Sequence, residues 1–227
     1  MKRSFLRIGA AICILGATLL TAGCGGGGGT ASLRVVQASP DEGSVNVIVN
    51  SKTISTDIGY AGNTGYQSIS SGSPNLQIVP TSSSTPIINQ NLTIAASSET
   101  TVIVANYSAN IEGLVLTDNN TDPPSGDIQL RVVNASPGIG SADVYFVPSG
   151  SSLSSIAPII TALGFETASS YQTLTAGTYQ VFLTVPGTKN AYLSTGQITL
   201  TGGQIRTIVA INGASGGYTS ITLADLN

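Results

Sequence analysis

The chain of 227 residues has no histidine and no tryptophan, and it has only two cysteines. The lack of histidine excludes every histidine-dependent catalytic triad or dyad and removes the commonest ligand of transition metals. The lack of tryptophan weakens a carbohydrate site, because stacking on sugars would then depend on tyrosine. We therefore expect a protein that is not an enzyme and that uses no cofactor.

Charge is also scarce, since Asp, Glu, Lys and Arg make up 8% of the residues. Ser, Thr, Gly and Asn supply the polar surface instead, and these residues suit turns and strands better than helices. Downstream of residue 23 the chain has five basic and eleven acidic residues, a net charge of −6. Nucleic-acid affinity comes chiefly from Lys and Arg on phosphates, so we expect no nucleic-acid partner.

Residues 1–23 have the layout of a lipoprotein signal peptide. A basic segment at residues 2–7 precedes an apolar run at residues 8–20, which is shorter than the roughly 20 residues of a bilayer span. The run leads into Leu-Thr-Ala-Gly-Cys, which resembles the lipobox of bacterial lipoproteins, although its leucine stands one place further from Cys24 than usual. The resemblance implies that Cys24 is acylated and becomes the mature N-terminus.

The position of the other cysteine supports this interpretation. Cys13 lies within the segment that would be removed, so no disulfide is expected in the mature chain. The alternative is an ordinary signal peptide that is cut nearby. It would leave Cys24 as a free thiol, which is a liability outside the cell.

Residues 24–32 contain Cys24 followed by five glycines, Thr, Ala and Ser. Glycine-rich chain behaves as a flexible coil, and we interpret this segment as a tether between the lipid-bearing cysteine and a folded body. Two or more acyl chains hold a protein firmly on a membrane. The resemblance to lipoproteins implies an exported, membrane-anchored protein of the cell envelope. It implies the outer membrane if the organism has two membranes, because Gly25 rather than Asp follows the cysteine.

The remainder of the chain is an internal duplication. Residues 33–40, LRVVQASP, and residues 130–137, LRVVNASP, agree at seven of eight positions. Matching segments follow in the same order, and the extra residues of the second copy are expected in loops. We assign residues 33–118 to a first repeat, 119–127 to a short proline-containing linker and 128–227 to a second repeat.

Both repeats have the periodicity of β-strands. In residues 179–185 and 205–211, apolar positions alternate with mixed ones. Turn signals recur about every ten residues, which predicts a sandwich of about seven strands per repeat. The one ambiguous run, residues 153–163, is interrupted by Pro158. The expected fold is all-β, with two tandem immunoglobulin-like β-sandwich domains after an N-terminal signal helix and a Gly-rich tether. The linker should hold the domains within a limited range of angles.

The repeats resemble the bacterial envelope domains grouped as domain-of-unknown-function family 4397. The features that carry the resemblance are the opening Arg-Val-Val-x-Ala-Ser-Pro, a Val-x-Val, a Tyr with a following Gly-Thr-Tyr, and a strand with Gly-Gly-x-x-x-Thr. They cover residues 33–227 and are better preserved in the second repeat, which has Ala-Gly-Thr-Tyr at residues 176–179. Gln37 and Asn134 stand where family members often have His. The resemblance implies an exported sandwich of unsettled function and supplies no catalytic residues.

One short motif could suggest a hydrolase. Residues 213–217, Gly-Ala-Ser-Gly-Gly, fit the pattern of a nucleophile elbow, with Ser215 at the centre. That pattern requires a strand-to-helix turn and a histidine partner, whereas here it lies between two strand runs and predicts a hairpin loop. A Ser–Lys pair would have to use Lys52 or Lys189, and both lie in turn-like sequence where a desolvated amine is not expected.

Acidic and aromatic residues offer two binding hypotheses. Asp118, Asp122 and Asp127 around the linker, or the pair at residues 41–42, could supply oxygen ligands to Ca²⁺. Their spacing misses the EF-hand pattern, and the alternative is that they are solvated loop carboxylates. Tyr66 and Tyr171 occupy equivalent positions and could stack on sugars, or they could pack half-buried at strand ends.

These observations lead to one main functional hypothesis. We expect a non-enzymatic, lipid-anchored lipoprotein that presents surface as a scaffold or protein-interaction module, with the membrane as its partner through Cys24. The first alternative is a glycan-binding or calcium-assisted adhesion module that uses loops at one end of each sandwich. The least favoured alternative is a hydrolase.

Overall fold

The computed structural model describes residues 29–226. The predicted signal peptide and Cys24 lie outside these residues. The described part is all-β, and its only helices are two 3-10 turns, at Ser108–Asn110 and Leu153–Ser155. Both repeats form sandwiches of two sheets, so the predicted fold class is confirmed.

The first repeat contains eight strands. They are β1 (Thr30–Gln37), β2 (Val45–Val49), β3 (Lys52–Ile58), β4 (Gln67–Ser70), β5 (Asn75–Pro80), β6 (Ile88–Asn91), β7 (Glu99–Ala105) and β8 (Glu112–Asp118). One sheet has the order β4-β1-β7-β8 and the other the order β3-β2-β5-β6. Within this repeat β1 and β7 run parallel, and the other strand pairs are antiparallel.

The second repeat contains ten strands in the same arrangement. They are β9 (Asp127–Asn134), β10 (Ser141–Pro148), β11 (Ile160–Gly164), β12 (Thr167–Ala168), β13 (Gln172–Thr175), β14 (Gly177–Thr184), β15 (Ala191–Ser194), β16 (Ile198–Leu200), β17 (Ile205–Asn212) and β18 (Tyr218–Leu226). One sheet contains β12 or β13, then β9, β17 and β18, and the other contains β11, β10, β14 and β15 or β16. Here β9 and β17 form the parallel pair.

Some details differ from the sequence-based expectations. The repeats have eight and ten strands rather than about seven, because short edge segments pair separately. Strand β1 begins at Thr30, so the last three residues that we assigned to the tether belong to the sheet and pair with β4. The extra residues of the second repeat do lie in a loop, since residues 149–159 join β10 to β11 where Asn50 and Ser51 suffice in the first repeat.

Each repeat encloses a core of its own. Side chains of β1 and β7, such as Leu33 and Val102, pack on side chains of β2 and β5, such as Val47 and Ile78. The equivalent strands of the second repeat enclose a separate cluster that contains Leu130 and Leu183. Alternate residues of a strand point to opposite faces, so these clusters use only one face of the sheets that contain β1 and β9.

The other face of each of these two sheets packs on the other repeat. A third buried cluster contains residues of both repeats: Val36, Ala38, Ile103, Ala105, Leu116, Val133, Ala135, Val209, Ile211 and Leu223. The molecule therefore has four sheet layers and three apolar interiors. The two middle sheets are covered on both faces, which explains why β1 and β9 are apolar at consecutive positions.

Candidate functional site at the junction of the two repeats

Four charged side chains are buried at one end of the junction between the repeats. Arg34 lies on β1, Arg131 on β9, Asp118 at the end of β8 and Asp225 near the end of β18. Their exposed fractions are 2%, 3%, 6% and 4%, in that order. Buried charges are costly unless they are paired and hydrogen-bonded, so the partners of these four groups decide whether the junction is stable.

Each arginine pairs with the aspartate of the other repeat. Arg34 Nη2 lies 2.5 Å from Asp225 Oδ1 and 3.6 Å from Asp118 Oδ2. Arg131 Nη2 contacts Asp118 Oδ1 directly and lies 3.9 Å from Asp225 Oδ2. The two positive and two negative charges form one compact group, which we call the charge cluster.

Two threonines complete the charge cluster. Arg34 Nε donates to Thr101 Oγ1 at 3.0 Å, and that hydroxyl donates to Asp118 Oδ2 at 2.5 Å. In the second repeat, Thr207 accepts from Arg131 Nε at 3.0 Å and donates to Asp225 Oδ2 at 2.5 Å. Each threonine therefore links an arginine to the aspartate of its own repeat, while the guanidinium tip reaches the other repeat.

Backbone carbonyls and tyrosine rings satisfy the remaining donors and acceptors. Arg34 Nη1 donates to the carbonyl of Ala224 at 2.8 Å, and Arg131 Nη1 donates to that of Thr117 at 3.1 Å. The two guanidinium groups also lie over tyrosine rings, 4.4 Å from the Tyr66 centroid and 4.5 Å from that of Tyr171. A cation over an aromatic face adds electrostatic attraction that strengthens on desolvation.

The hydroxyls of the same tyrosines hydrogen-bond the aspartates. Tyr66 donates to Asp118 Oδ2 at 2.7 Å, and Tyr171 donates to Asp225 Oδ2 at 2.9 Å. Burial, and next the charge of Asp118, raise the pKa of Tyr66, and burial raises the pKa of Tyr171. Both hydroxyls therefore stay protonated and act as donors.

One further carboxylate, Glu99 at the start of β7, lies close to the charge cluster. Burial, and next the charge of Asp118, raise the pKa of Glu99. Its Oε2 atom is buried without a hydrogen-bond partner. The second repeat has Ile205 at the equivalent start of β17, so this excess negative charge breaks the symmetry of the junction.

A second set of polar contacts closes the opposite end of the junction. The Tyr60 hydroxyl donates to the carbonyl of Asn212 at 2.5 Å, which joins the first repeat to the second. The amide of Asn212 donates to the Tyr107 hydroxyl at 3.2 Å and accepts from Ser136 Oγ at 2.6 Å. Contacts at both ends of the apolar junction therefore fix the two sandwiches against each other.

The structure contradicts the proposed calcium site at the linker. Both oxygens of Asp118 are occupied within the charge cluster, whereas Asp122 is exposed and Asp127 is half-buried. Within residues 29–226, no group of three or more His, Cys, Asp or Glu side chains could hold a metal ion. The other acidic candidate, Asp41, accepts from the backbone and side chain of Ser108, and although burial opposes the shift, these bonds lower its pKa.

The residues considered for a hydrolase are dispersed. Ser215 lies in the hairpin between β17 and β18, so the prediction of a hairpin loop at residues 213–217 is confirmed. Lys52 is exposed at the start of β3. Lys189 is also exposed, donates to the Ile156 carbonyl and lies 4.0 Å from the Tyr145 ring centroid.

Gln37 and Asn134 shape the loop that follows the opening strand of each repeat. Gln37 Nε2 donates to the carbonyl of Gly43 at 2.9 Å, while its Oε1 accepts from the backbone of Ser39 at 3.1 Å. Asn134 makes the equivalent bonds to Ile139 and Ser136. Both side chains are fully buried, so these positions have a structural role in this chain.

An open groove of about 400 Å³ lies beside the start of β1. Its lining includes Thr30, Val49, Lys52, Ile54 and Ser68. None of the hydrogen-bonding groups of the charge cluster reaches it. Within the described part of the chain, no helix is long and apolar enough to cross a bilayer.

Three solved structures to which this chain is similar share 10–11% of its sequence. A Bacillus anthracis TIE protein is 11% identical, covering 82% of this chain and 34% of its own length, with a TM-score of 0.26. A leucine-rich repeat protein from Bacteroides thetaiotaomicron is 11% identical, covering 79% and 25%, with a TM-score of 0.23. A family CBM26 module from Eubacterium rectale Amy13K, solved with maltoheptaose, is 10% identical, covering 85% and 96%, with a TM-score of 0.26.

The chain thus spans about a third and a quarter of the length of the first two proteins. Similarity at this level carries no argument about function. No curated protein matches the chain.

A family model described as "Domain of unknown function (DUF4397)" matches residues 31–145, which include the first repeat, the linker and the opening of the second repeat. Extension of that resemblance to the rest of the second repeat stays a prediction. Since the match covers just over half of the 227 residues, the chain belongs to the DUF4397 family of domains.

Proposed function

We propose that this protein is a non-catalytic, lipid-anchored lipoprotein of the cell envelope, which presents a rigid surface as a scaffold or protein-interaction module. The observation that supports this best is the charge cluster, together with the apolar cluster shared by the two repeats. A protein that only needed two independent binding domains on a flexible linker would not need four buried charges between them. The geometry favours a single body with fixed spacing between its surfaces.

The direction of the strands supports a defined orientation on the tether. The starts of β1 and β9 meet the ends of β18 and β8 at the charge cluster. The start of β1, the linker and the end of β18 therefore lie at one end of the body. The opposite end, which we call the distal end, is formed by loops of both repeats at residues 38–44, 106–111, 135–140 and 213–217. Anchored through Cys24, the body would direct this end away from the bilayer.

The distal end has a charge that suits a particular class of partner. It contains Asp41, Glu42, Glu112 at the start of β8, and Glu166 between β11 and β12, whereas the β14–β15 turn at the same end contributes one base, Lys189. Glu112 and Glu166 come from different repeats and lie close enough that, after burial, the charge of Glu112 helps to raise the pKa of Glu166. Electrostatic complementarity favours an envelope protein with a basic surface.

Glycan binding is the second candidate, and one residue favours it. Tyr107 is 43% exposed at the distal end, beside the amide of Asn212. Tyr66 and Tyr171, which we considered from the sequence, are occupied by the arginines and aspartates of the charge cluster. Tyr107 is the exposed tyrosine ring of residues 29–226 and the one best placed for stacking on a sugar. Binding of soluble cell-wall glycans that Tyr107→Ala abolishes would favour this candidate over a protein partner.

The anchor and the interaction surface need separate tests. Intact-mass analysis of the native protein should find acyl chains on Cys24, and Cys24→Ser should move the protein from the membrane fraction to the soluble fraction. An unmodified Cys24 in the mature protein would contradict the lipid anchor.

The interaction surface is tested by crosslinking in the native envelope, which should identify the partner. Glu112→Lys should reduce that crosslink. Asp122→Lys makes the same charge change at the tether end and serves as the control, because it should leave the crosslink unchanged.

A further inference from the structure

The polar contacts between the repeats occur in reciprocal pairs at the charge cluster. Arg34 contacts Asp225, and Arg131 contacts Asp118. Arg34 also reaches the backbone before Asp225, and Arg131 reaches the backbone before Asp118. In such an interface, every contact from the first repeat to the second has a matching contact from the second repeat to the first. This is the geometry of a twofold dimer.

The apolar contacts follow the same symmetry. The paired faces have Arg and Val at equivalent positions of β1 and β9, Ala directly after each of these strands, Thr and a branched aliphatic residue on β7 and β17, and Leu and Asp on β8 and β18. These residues are Arg34, Val36, Ala38, Thr101, Ile103, Leu116 and Asp118 in the first repeat, and Arg131, Val133, Ala135, Thr207, Val209, Leu223 and Asp225 in the second. The face of each repeat therefore fits the face of the other repeat, whether that repeat belongs to the same chain or to a second copy.

The linker contributes little to the paired faces. Asn119 donates from its side chain to Gln129 at 2.6 Å and from its backbone to Tyr171 at 3.4 Å. The ion pairs and the apolar cluster are made by residues outside 119–127, and each repeat has its own internal core. Replacing a linked repeat by the same repeat of another molecule would therefore preserve the ion pairs and the buried apolar contacts.

We propose that the paired faces are exchangeable between molecules, so that a second copy of this chain can occupy them. In the reciprocal dimer, the first repeat of each chain packs on the second repeat of the other, and all four charges remain paired. Because the contacts are the same in the closed monomer and in the dimer, the linker decides between them. Short linkers that can span their sites give effective concentrations on the order of millimolar, so the dimer becomes substantial near that chain concentration. Confinement on a membrane surface raises the local concentration of the chain and therefore also favours the dimer.

Isotope mixing tests this proposal with the unaltered faces. Heavy- and light-isotope chains from position 24 onward, each with Cys24→Ser, are unfolded together in guanidinium chloride, refolded at about 1 mM or about 1 µM, and measured by native mass spectrometry. We expect a mixed heavy–light dimer at the higher concentration and monomers at the lower one. Finding only monomers in both samples would overturn the proposal.

A matched pair of substitutions locates the dimer contact. Val209→Asp places a charge within the buried apolar cluster of the junction and should abolish the mixed dimer. Val115→Asp makes the same change on β8 at a side chain that is 44% exposed, and the mixed dimer should persist. A mixed dimer that survives Val209→Asp would show that the chains associate through another surface, which would also overturn the proposal.

Discussion

Arg34 in the first strand of the first repeat forms an ion pair with Asp225 in the last strand of the second repeat, at 2.5 Å between Nη2 and Oδ1. The two residues are 191 positions apart in the chain, and both side chains are almost completely buried. A buried pair of this kind contributes little net stability compared with well-packed apolar residues, but removal of one partner leaves an uncompensated charge. The pair therefore makes correct docking of the repeats a condition for a stable fold.

Truncation of one arginine should consequently be severe. Arg34→Ala leaves Asp225 without its main cationic partner, and we expect a loss of about 3–5 kcal/mol in the free energy of unfolding, measured by urea denaturation of the Cys24→Ser chain. Arg131→Ala should cost a similar amount, because its environment is equivalent. Lys52→Ala is the control, since Lys52 is exposed at the start of β3, outside the charge cluster.

A double-mutant cycle tests the same pair more directly. The double variant Arg34→Met with Asp225→Leu removes both charges and keeps apolar volume in the junction. We expect its loss to be smaller than the sum of the two single losses by about 0.5–3 kcal/mol, the usual range for residues in one network. Strictly additive losses would show that the pair is not energetically coupled.

Replacement of either bridging threonine by the nearly isosteric valine should lower the free energy of unfolding. Thr101→Val removes a hydroxyl that accepts from Arg34 and donates to Asp118, leaving two buried polar groups short of a partner. The expected loss is about 1–3 kcal/mol by thermal or urea unfolding. Thr207→Val should behave alike. Thr85→Val, in the exposed β5–β6 connection, is the control and should lie within about 0.5 kcal/mol of the parent.

The pH dependence of stability should include a contribution from Glu99. Its pKa is raised above the ordinary value of 4.5, so the folded protein binds this proton more tightly than the unfolded chain does. The free energy of unfolding therefore falls as the pH rises from about 4.5 through the folded-state pKa. Glu99→Gln should flatten that fall and increase stability at pH 7, by a few tenths of a kcal/mol because the group is partly solvated.

The contribution of Glu99 is measured by comparing the pH dependence of unfolding in the parent and in Glu99→Gln. Unfolding curves would be recorded between pH 4 and pH 8 for the parent and the variant. Part of the slope should remain, because the pKa of Glu166 is also raised by burial and by Glu112. Superimposable profiles of parent and variant would show that Glu99 does not contribute to the stability of the junction.

Much of the architecture could be predicted because it depends on local patterns. Alternating side chains and regularly spaced turns are sufficient to predict sandwiches, and the repeated LRVV segment reveals the duplication. Strand β1 begins three residues before the predicted end of the tether, since Thr30, Ala31 and Ser32 have no strong local preference and become strand by pairing with β4 and, at Ser32, with β7. Pairing with a distant strand is a tertiary effect that composition does not reveal.

The charge cluster was missed for a related reason. Asp118 stands beside a polar linker in the sequence, which suggested a solvated carboxylate, but its position at the end of β8 directs it into the junction. A signal was present in β1: Arg34 is followed by two valines, and a strand that is apolar at successive positions is covered on both faces. The second repeat has the same Arg, and each repeat has an Asp near its end. These residues indicate ion pairs between the repeats only once the β1 and β9 sheets are known to pack on each other.

The hairpin at residues 213–217 offers a last prediction, which separates a structural role from a catalytic one. A Cβ atom on Gly213 would lie 2.5 Å from the carbonyl oxygen of Gly216, a backbone atom that cannot move without opening the hairpin. Gly213→Ala should therefore destabilise the protein by about 1–3 kcal/mol in urea unfolding. Ser215→Ala, at an exposed position two residues later, should stay within about 0.5 kcal/mol of the parent. If the glycine is tolerated while Ser215→Ala abolishes a measurable hydrolytic activity, the turn has a catalytic role and the non-catalytic proposal is wrong.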